Sequence, residues 1–138
     1  MNTIALVSCA KKKRRVRSRA ADLYVSTLFR LSNEYAKKLK VDQIWILSAK
    51  YGLLHPDIDV DPYNLTLNKM TATQIAKWGV DVLSQLRQVA DLKRDHFLIL
   101  AGERYRRELV GAIVNYKVPM EGLRFGQQMA WLKRQIAA

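Results

Sequence analysis

The sequence has little cysteine, little proline and no long hydrophobic run. Its 138 residues include one cysteine, Cys9, and three prolines. A single cysteine excludes an intrachain disulfide and suits a reducing compartment, so we expect the protein in the cytoplasm. No apolar run approaches the ~20 residues that cross a bilayer. The short apolar start precedes a basic cluster, the reverse of the order in a signal peptide, so no membrane partner is expected.

Residues that bind metals in recognisable patterns are also scarce. The two histidines, His55 and His96, are far apart, and neither pairs with Cys9 at the spacing of a zinc site. Asp57, Asp59 and Asp61 alternate, so an extended segment would project them to one side. Magnesium binding is one interpretation, but aspartates in a polar loop more often accept hydrogen bonds from their own backbone. We therefore expect no metal and no other cofactor.

Acidic residues are outnumbered by basic ones. Twelve Asp and Glu face twenty-four Lys and Arg, which leaves a formal net charge of +12. A small domain needs only about 2–8 net charges for solubility. Seven of the nine residues from Lys11 to Arg19 are basic, and such clusters give salt-sensitive contacts with phosphates. Nucleic acid is the expected partner, although a basic protein with a solvated loop is the simpler alternative.

The order of predicted elements indicates an α/β fold. Short apolar runs predict strands at residues 3–7, 43–47, 96–100 and 116–118. Helical spacing of apolar residues predicts helices at 19–39, 71–90, 103–114 and 125–136, with Thr71 as an N-cap. This βαβαβαβα order predicts a three-layer αβα sandwich around a four-stranded parallel sheet. With no linker or repeat, residues 1–138 are expected to form one domain.

Each predicted strand is followed by a segment unlike an ordinary turn. Because ligands in open α/β sheets bind beyond the carboxyl ends of the strands, these segments are expected to form one site. Cys9 follows the first strand beside several lysines, which favours a nucleophilic thiol, although a lone cysteine is as often a small buried residue. Asp57 or Asp59 is a candidate general base for a water molecule. Tyrosines nearby are candidates for stacking on a base.

Several motifs along the chain carry a resemblance to a known family. They are Ser-Cys-x-Lys-x-Lys at 8–13, Ala-x-x-Leu-Tyr-x-Ser at 20–26, Leu-Ser-Ala-Lys-Tyr-Gly-Leu-Leu at 47–54, Pro-Tyr at 62–63, Ala-Gly-x-x-Tyr at 101–105 and Pro-x-x-Gly-Leu at 119–123. The chain resembles a poorly characterised bacterial and phage family, itself similar to the core domain of archaeosine synthase, a tRNA 7-deazaguanine-modifying enzyme. Cys9, Lys13 and Ser18 match the spacing of a synthase motif, whereas Ala21 replaces its histidine.

The resemblance implies a fold like that of uracil-DNA glycosylases and a role for Cys9 and Lys13 in covalent or acid–base chemistry. Three functions follow. The first, which the sequence favours because a stand-alone basic domain can bind its own substrate, is a DNA glycosylase that flips a modified base into its pocket. The second is a 7-deazaguanine-modifying enzyme, and the third is a nucleic-acid-binding module without catalysis. DNA is favoured over tRNA, and the oligomeric state is left open.

The predicted site residues fall into three groups. The catalytic candidates are Cys9, Lys13, Asp57 and Asp59. The candidates for contact with nucleic acid are Lys11, Lys12, Arg14, Arg15, Arg17, Ser18, Lys50, Arg104 and Arg106. The candidates for a base pocket are Ser8, Ala49, Tyr51, Gly52, Tyr63, Asn64, Gly102, Tyr105, Gly122 and Gln127.

Overall fold

The computed structural model describes every residue from Met1 to Ala138 as a mixed α/β structure. The strands are β1 (Thr3–Ser8), β2 (Ser18–Arg19), β3 (Gln43–Ser48), β4 (Gly52–Leu54), β5 (Asp59–Val60), β6 (His96–Leu100) and β7 (Asn115–Lys117). The helices are α1 (Ala20–Leu23), α2 (Thr27–Lys38), α3 (Ala72–Arg87), α4 (Glu103–Val110) and α5 (Phe125–Ala137), with a 3-10 turn at Leu67–Lys69. None of the helices is long and apolar enough to cross a membrane.

The main sheet has five strands in the order β4-β3-β1-β6-β7. The strands β1, β3, β6 and β7 run parallel, and β4 pairs antiparallel with β3. The predicted four-stranded parallel sheet is therefore corrected to a five-stranded, mostly parallel one. The sequence did not reveal β4, because three residues are too few to show a periodicity. Its hairpin depends on Gly52, whose φ of 71° lies in the region that favours glycine.

Helices cover both faces of the sheet, which explains why β1 is apolar throughout. Ile4 and Leu6 belong to a core shared with α3 and α4. Ala5 and Val7 point the other way, into a core shared with α2 and α5. Each fully buried Leu or Ile side chain contributes about 1.5–3 kcal/mol to the stability of the fold.

The predicted helix at 19–39 is broken in the structure. Residues 24–26 are extended between α1 and α2, because Tyr24 pairs in an antiparallel bridge with Lys13. The Ser26 side chain then accepts a hydrogen bond from the Phe29 amide and begins α2. The prediction of Thr71 as an N-cap is confirmed, since its side chain and that of Gln74 form a capping box on α3.

A small ribbon holds the basic loop against the body of the protein. Strand β2 pairs antiparallel with β5. The Ala20 amide donates to the Ile58 carbonyl, and the Ala21 amide donates to that of Pro56. The Arg14 amide donates to the Leu23 carbonyl on the other side of the loop. Both ends of the basic loop are thus tied by backbone hydrogen bonds.

Candidate active site at the carboxyl edge of the sheet

Cys9 directly follows β1 and contacts Tyr105, which lies on α4. The Sγ atom of Cys9 is 3.3 Å from the Tyr105 hydroxyl oxygen. The ring of Trp78 packs edge-on against Tyr105, with centroids 5.6 Å apart, and its indole nitrogen donates to the Ser48 carbonyl. Burial raises the pKa of Tyr105 above its usual range, so this phenol stays protonated at neutral pH. Cys9 therefore lies beside a neutral hydrogen-bonding phenol.

Lys13 is the one lysine of the basic loop whose side chain turns inward. Side chains alternate along an extended segment, so Lys12 and Arg14 are exposed while Lys13 is half-buried. Its Nζ atom lies 4.2 Å from the centroid of the Tyr63 ring and 5.7 Å from that of Tyr24. Burial lowers the pKa of Lys13, and the nearby Cys9 opposes that shift. This amine therefore gives up its proton more readily than an exposed lysine does.

A chain of three hydroxyl groups runs beneath Lys13. The Ser48 oxygen is 2.7 Å from that of Tyr63, which is 2.8 Å from that of Tyr24. Ser48 Oγ also accepts from the amides of Lys50 and Tyr51. With both lone pairs engaged, Ser48 must donate to Tyr63.

The two tyrosines at the other end of this hydroxyl chain are both buried phenols. In the bond between Tyr63 and Tyr24, either hydroxyl can be the donor. Burial raises the pKa of Tyr24 to about 12 and raises that of Tyr63 as well. Both phenols therefore stay protonated at neutral pH.

The basic loop presents cations that have no acidic partner. Lys11, Lys12, Arg14 and Arg15 are exposed, and none of them is among the residues that form ion pairs. Arg17 differs, because it pairs with Asp61 at 3.2 Å. The loop therefore carries uncompensated positive charge beside Cys9 and Lys13.

The other residues predicted to contact nucleic acid are scattered. Lys50 is exposed and lies over the Tyr51 ring, and Arg104 is exposed on α4. Arg106 is half-buried and donates to the Ala101 carbonyl. Ser18 is only 7% exposed and donates to the Val16 carbonyl, so it shapes the loop from inside.

Asp57 and Asp59 lie apart from Cys9 and Lys13. Asp57 pairs with Arg19 at 2.9 Å. Asp59 is exposed in β5, and its carbonyl accepts from Arg17. Neither carboxylate forms a hydrogen bond or ion pair with Cys9 or Lys13. No group of three or more His, Cys, Asp or Glu side chains is placed to hold a metal ion.

The residues predicted for a base pocket divide in the same way. Tyr51 packs edge-on against Tyr63 with centroids 5.5 Å apart, which brings both tyrosines to the Lys13 cluster. Ser8 and Gly102 line a pocket beside Cys9. The remaining residues predicted for the base pocket have local structural roles or lie away from the Lys13 cluster. Ala49 and Gly52 form the β3–β4 hairpin, Gly122 has a φ of 80°, the Gln127 side chain caps α5, and Asn64 is exposed.

This pocket of about 70 Å³ contains residues that the sequence did not predict. It opens where β1, β6 and β7 end, and the α2 residues Ser26 and Ser32 line it together with Gln128 of α5. Ser32 falls among apolar residues of its helix, and a polar residue on such a face was the one available signal. Tyr24 was also not predicted as a site residue, because a buried tyrosine has the sequence pattern of an ordinary core residue.

Fold and site together define a basic α/β protein with a cysteine and a half-buried lysine at the carboxyl edge of its sheet. Residues 4–134 match a family of unknown function, DUF6884, and the chain belongs to that family. No curated protein and no solved structure matches the chain.

Proposed function

We propose that the protein is an enzyme that binds nucleic acid and acts on a nucleobase, with Cys9 and Lys13 as the reacting groups. The observation that carries the proposal is their meeting at the carboxyl edge of the sheet. Cys9 contacts Tyr105, the Lys13 amine lies over the Tyr63 ring and close enough to Cys9 to affect its own pKa, and Lys13 is part of the loop that carries the uncompensated cations. In α/β proteins this edge is where ligands bind.

The charge distribution supports a nucleic acid as the partner. Lys11, Lys12, Arg14 and Arg15 are exposed without acidic partners, and the whole chain carries a net charge of +12. Phosphate contacts of this kind give affinity without sequence preference. DNA is the substrate to test first, and tRNA comes second.

The chemistry of the cluster favours covalent or acid–base catalysis over activation of water. A thiol is an intrinsically strong nucleophile, and burial lowers the pKa of the Lys13 amine, so this amine gives up its proton more readily than an exposed lysine does. The spacing of Cys9, Lys13 and Ser18, which resembles the archaeosine synthase motif, supports a base-modifying reaction of this kind.

A glycosylase is the second candidate, with Asp57 or Asp59 orienting water. Asp57 is exposed, and its ion pair with Arg19 is at the surface. Such surface pairs are worth only about 0–1 kcal/mol, so a bound substrate can open them. The uracil-DNA-glycosylase-like fold belongs to this candidate.

The test is incubation of the pure protein with phage DNAs that carry unmodified, hydroxymethylated, glucosylated or 7-deazaguanine bases, followed by mass spectrometry of nucleosides and free bases. An altered nucleoside that disappears with Cys9→Ser and with Lys13→Gln supports the first candidate. Lys12→Gln is the matched control, since it removes an exposed charge from the same loop. A free base whose release requires Asp57 or Asp59 but not Cys9 supports the glycosylase. Tight binding with no product on any DNA or on tRNA contradicts both.

A further inference from the structure

The pocket beside Cys9 has a largely apolar lining, but its polar side chains can all donate hydrogen bonds and none of them is a carboxylate. Three serines, Ser8, Ser26 and Ser32, share its lining with Arg106. Cys9 lines this pocket and also contacts Tyr105, whereas Lys13, Tyr63 and Tyr105 do not line it. The pocket is therefore a separate space that shares Cys9 with the candidate active site.

Ser32 shows that this space is suited to a polar ligand. The residue is only 2% exposed, and its hydroxyl forms no hydrogen bond with any other group of the chain. Every fully enclosed side-chain nitrogen or oxygen in the molecule has a partner, so the Ser32 oxygen must reach the open space of the pocket that it lines. Because its oxygen reaches this space, the Ser32 hydroxyl can donate its proton to a ligand bound there.

The other donors around the pocket favour an anion. Ser26 Oγ accepts from the Phe29 amide, so its proton is free to be donated at the N-terminus of α2. Gly102 begins α4 without a side-chain cap, which leaves first-turn amides of that helix unpaired. Arg106 uses Nη1 on the Ala101 carbonyl and has no ion-pair partner, so its other N–H groups can donate. Helix N-termini and a guanidinium together bind oxyanions.

The size of the pocket bears on which anion it can hold. Its volume of about 70 Å³ is several times the ~10–15 Å³ that one water molecule needs by the same measure. The pocket therefore has room for a small anion such as a phosphate group. We infer that the pocket binds a phosphate group of the nucleotide whose base meets Cys9 and Lys13. The link to that nucleotide rests on the proposed function, whereas the phosphate site itself does not.

The site is tested with inorganic phosphate against sodium chloride of the same ionic strength, by thermal unfolding and by ³¹P NMR titration. Phosphate is expected to raise the Tm of the wild-type protein beyond the chloride control. Arg106→Gln and Ser32→Ala should each weaken phosphate binding about tenfold or more, because each removes a donor to a charged group. Arg104→Gln, an exposed change on the same helix, should bind phosphate as the wild type does.

Ser32→Ala also tests whether weaker phosphate binding results from damage to the fold. It removes a hydroxyl that has no partner, so without phosphate its Tm should equal or exceed that of the wild type. Equal stabilisation by phosphate and chloride overturns the inference. An equal loss of binding in Arg106→Gln and Arg104→Gln also overturns it, because the effect would then be one of general charge.

Two oligonucleotides identify the source of the phosphate. If the pocket holds a terminal monoester, a 5′-phosphorylated strand binds more tightly than its 5′-hydroxyl twin, and Arg106→Gln removes the difference. If it holds an internal diester, both strands bind alike, and Arg106→Gln weakens both. If the protein converts a base but does not bind phosphate, this inference is wrong and the proposed function stands. If the protein binds phosphate but yields no base product, the proposed function is wrong and the phosphate site stands.

Discussion

The Ser48 hydroxyl lies 2.7 Å from the Tyr63 hydroxyl and donates to it, because two backbone amides occupy the lone pairs of Ser48. Tyr63 stands at the centre of the buried chain that ends at Tyr24. Its ring also lies under the ammonium group of Lys13. One side chain thus joins the end of β3, the basic loop and the extended segment before α2.

Replacement of Tyr63 should cost more stability than replacement of Tyr24. Tyr63→Phe keeps the ring under Lys13 but removes two hydrogen bonds and leaves the Ser48 proton without an acceptor. The expected loss is about 1–3 kcal/mol in the free energy of unfolding, measured with urea. Tyr24→Phe removes one bond and should cost less. Tyr116→Phe, at an exposed position of β7, should change stability by less than about 0.5 kcal/mol. Equal losses at all three positions would contradict the hydroxyl chain.

The chain of hydroxyl groups from Ser48 to Tyr24 belongs to the part of the site that the sequence could not predict. Strands β1, β3 and β6 were predictable because each contains an apolar run, and the convergence of Cys9, Gly102 and Met120 at one pocket follows from the parallel topology. The contact of Lys13 with Tyr63 depends on a bridge between Lys13 and Tyr24, which breaks a continuous helical pattern. Periodicity along the chain carries no information on such pairing between distant segments.

Alkaline pH should destabilise the protein through its buried phenols. Burial raises the pKa of Tyr24, Tyr63 and Tyr105. Between the ordinary phenol pKa of about 10 and the higher folded values, unfolded tyrosines lose protons that the folded protein retains, so stability falls as pH rises. Lys13 acts in the opposite direction, because its pKa is lowered and the unfolded chain binds the extra proton.

The measurement is urea unfolding across about pH 9 to 11, with phenolate absorbance followed in parallel. We expect the three phenols to outweigh the single amine, which gives a net fall in stability. Tyr63→Phe should show a shallower fall than the wild type, and Lys13→Met a steeper one, because it lacks the opposing group. A stability that rises over this range would contradict the shifts of the phenols.

Binding of DNA should depend on salt in proportion to the cations of the basic loop. Each neutralised phosphate adds a slope of about −0.9 to a plot of log affinity against log salt. Replacing Lys11, Lys12, Arg14 and Arg15 together by Gln should weaken binding and make the slope shallower by up to about 0.9 for every phosphate that is no longer neutralised. The measurement is fluorescence anisotropy with a labelled duplex at several salt concentrations. Lys77→Gln is the control, because this exposed α3 lysine pairs with Asp81. An unchanged slope in the loop variant would mean that DNA does not bind at the basic loop.

Gly79→Ala should destabilise the protein although alanine is the better helix former. Gly79 lies within α3, where alanine gains about 0.5–1 kcal/mol over glycine in helix propensity. A Cβ atom at Gly79 would lie 2.5 Å from the Cβ atom of Glu108 on α4. That neighbour is the fixed base of its side chain, so α3 and α4 would have to separate.

Overpacking of this kind costs about 1–3 kcal/mol, so the net change in the free energy of unfolding should be a loss. Gly111→Ala is the matched control, because a Cβ there meets nothing within 4 Å and its φ of −65° is ordinary. That variant should be neutral or slightly stabilising. Thermal unfolding of the two variants decides the matter, since a Gly79→Ala protein as stable as Gly111→Ala would mean that the two helices do not meet at this glycine.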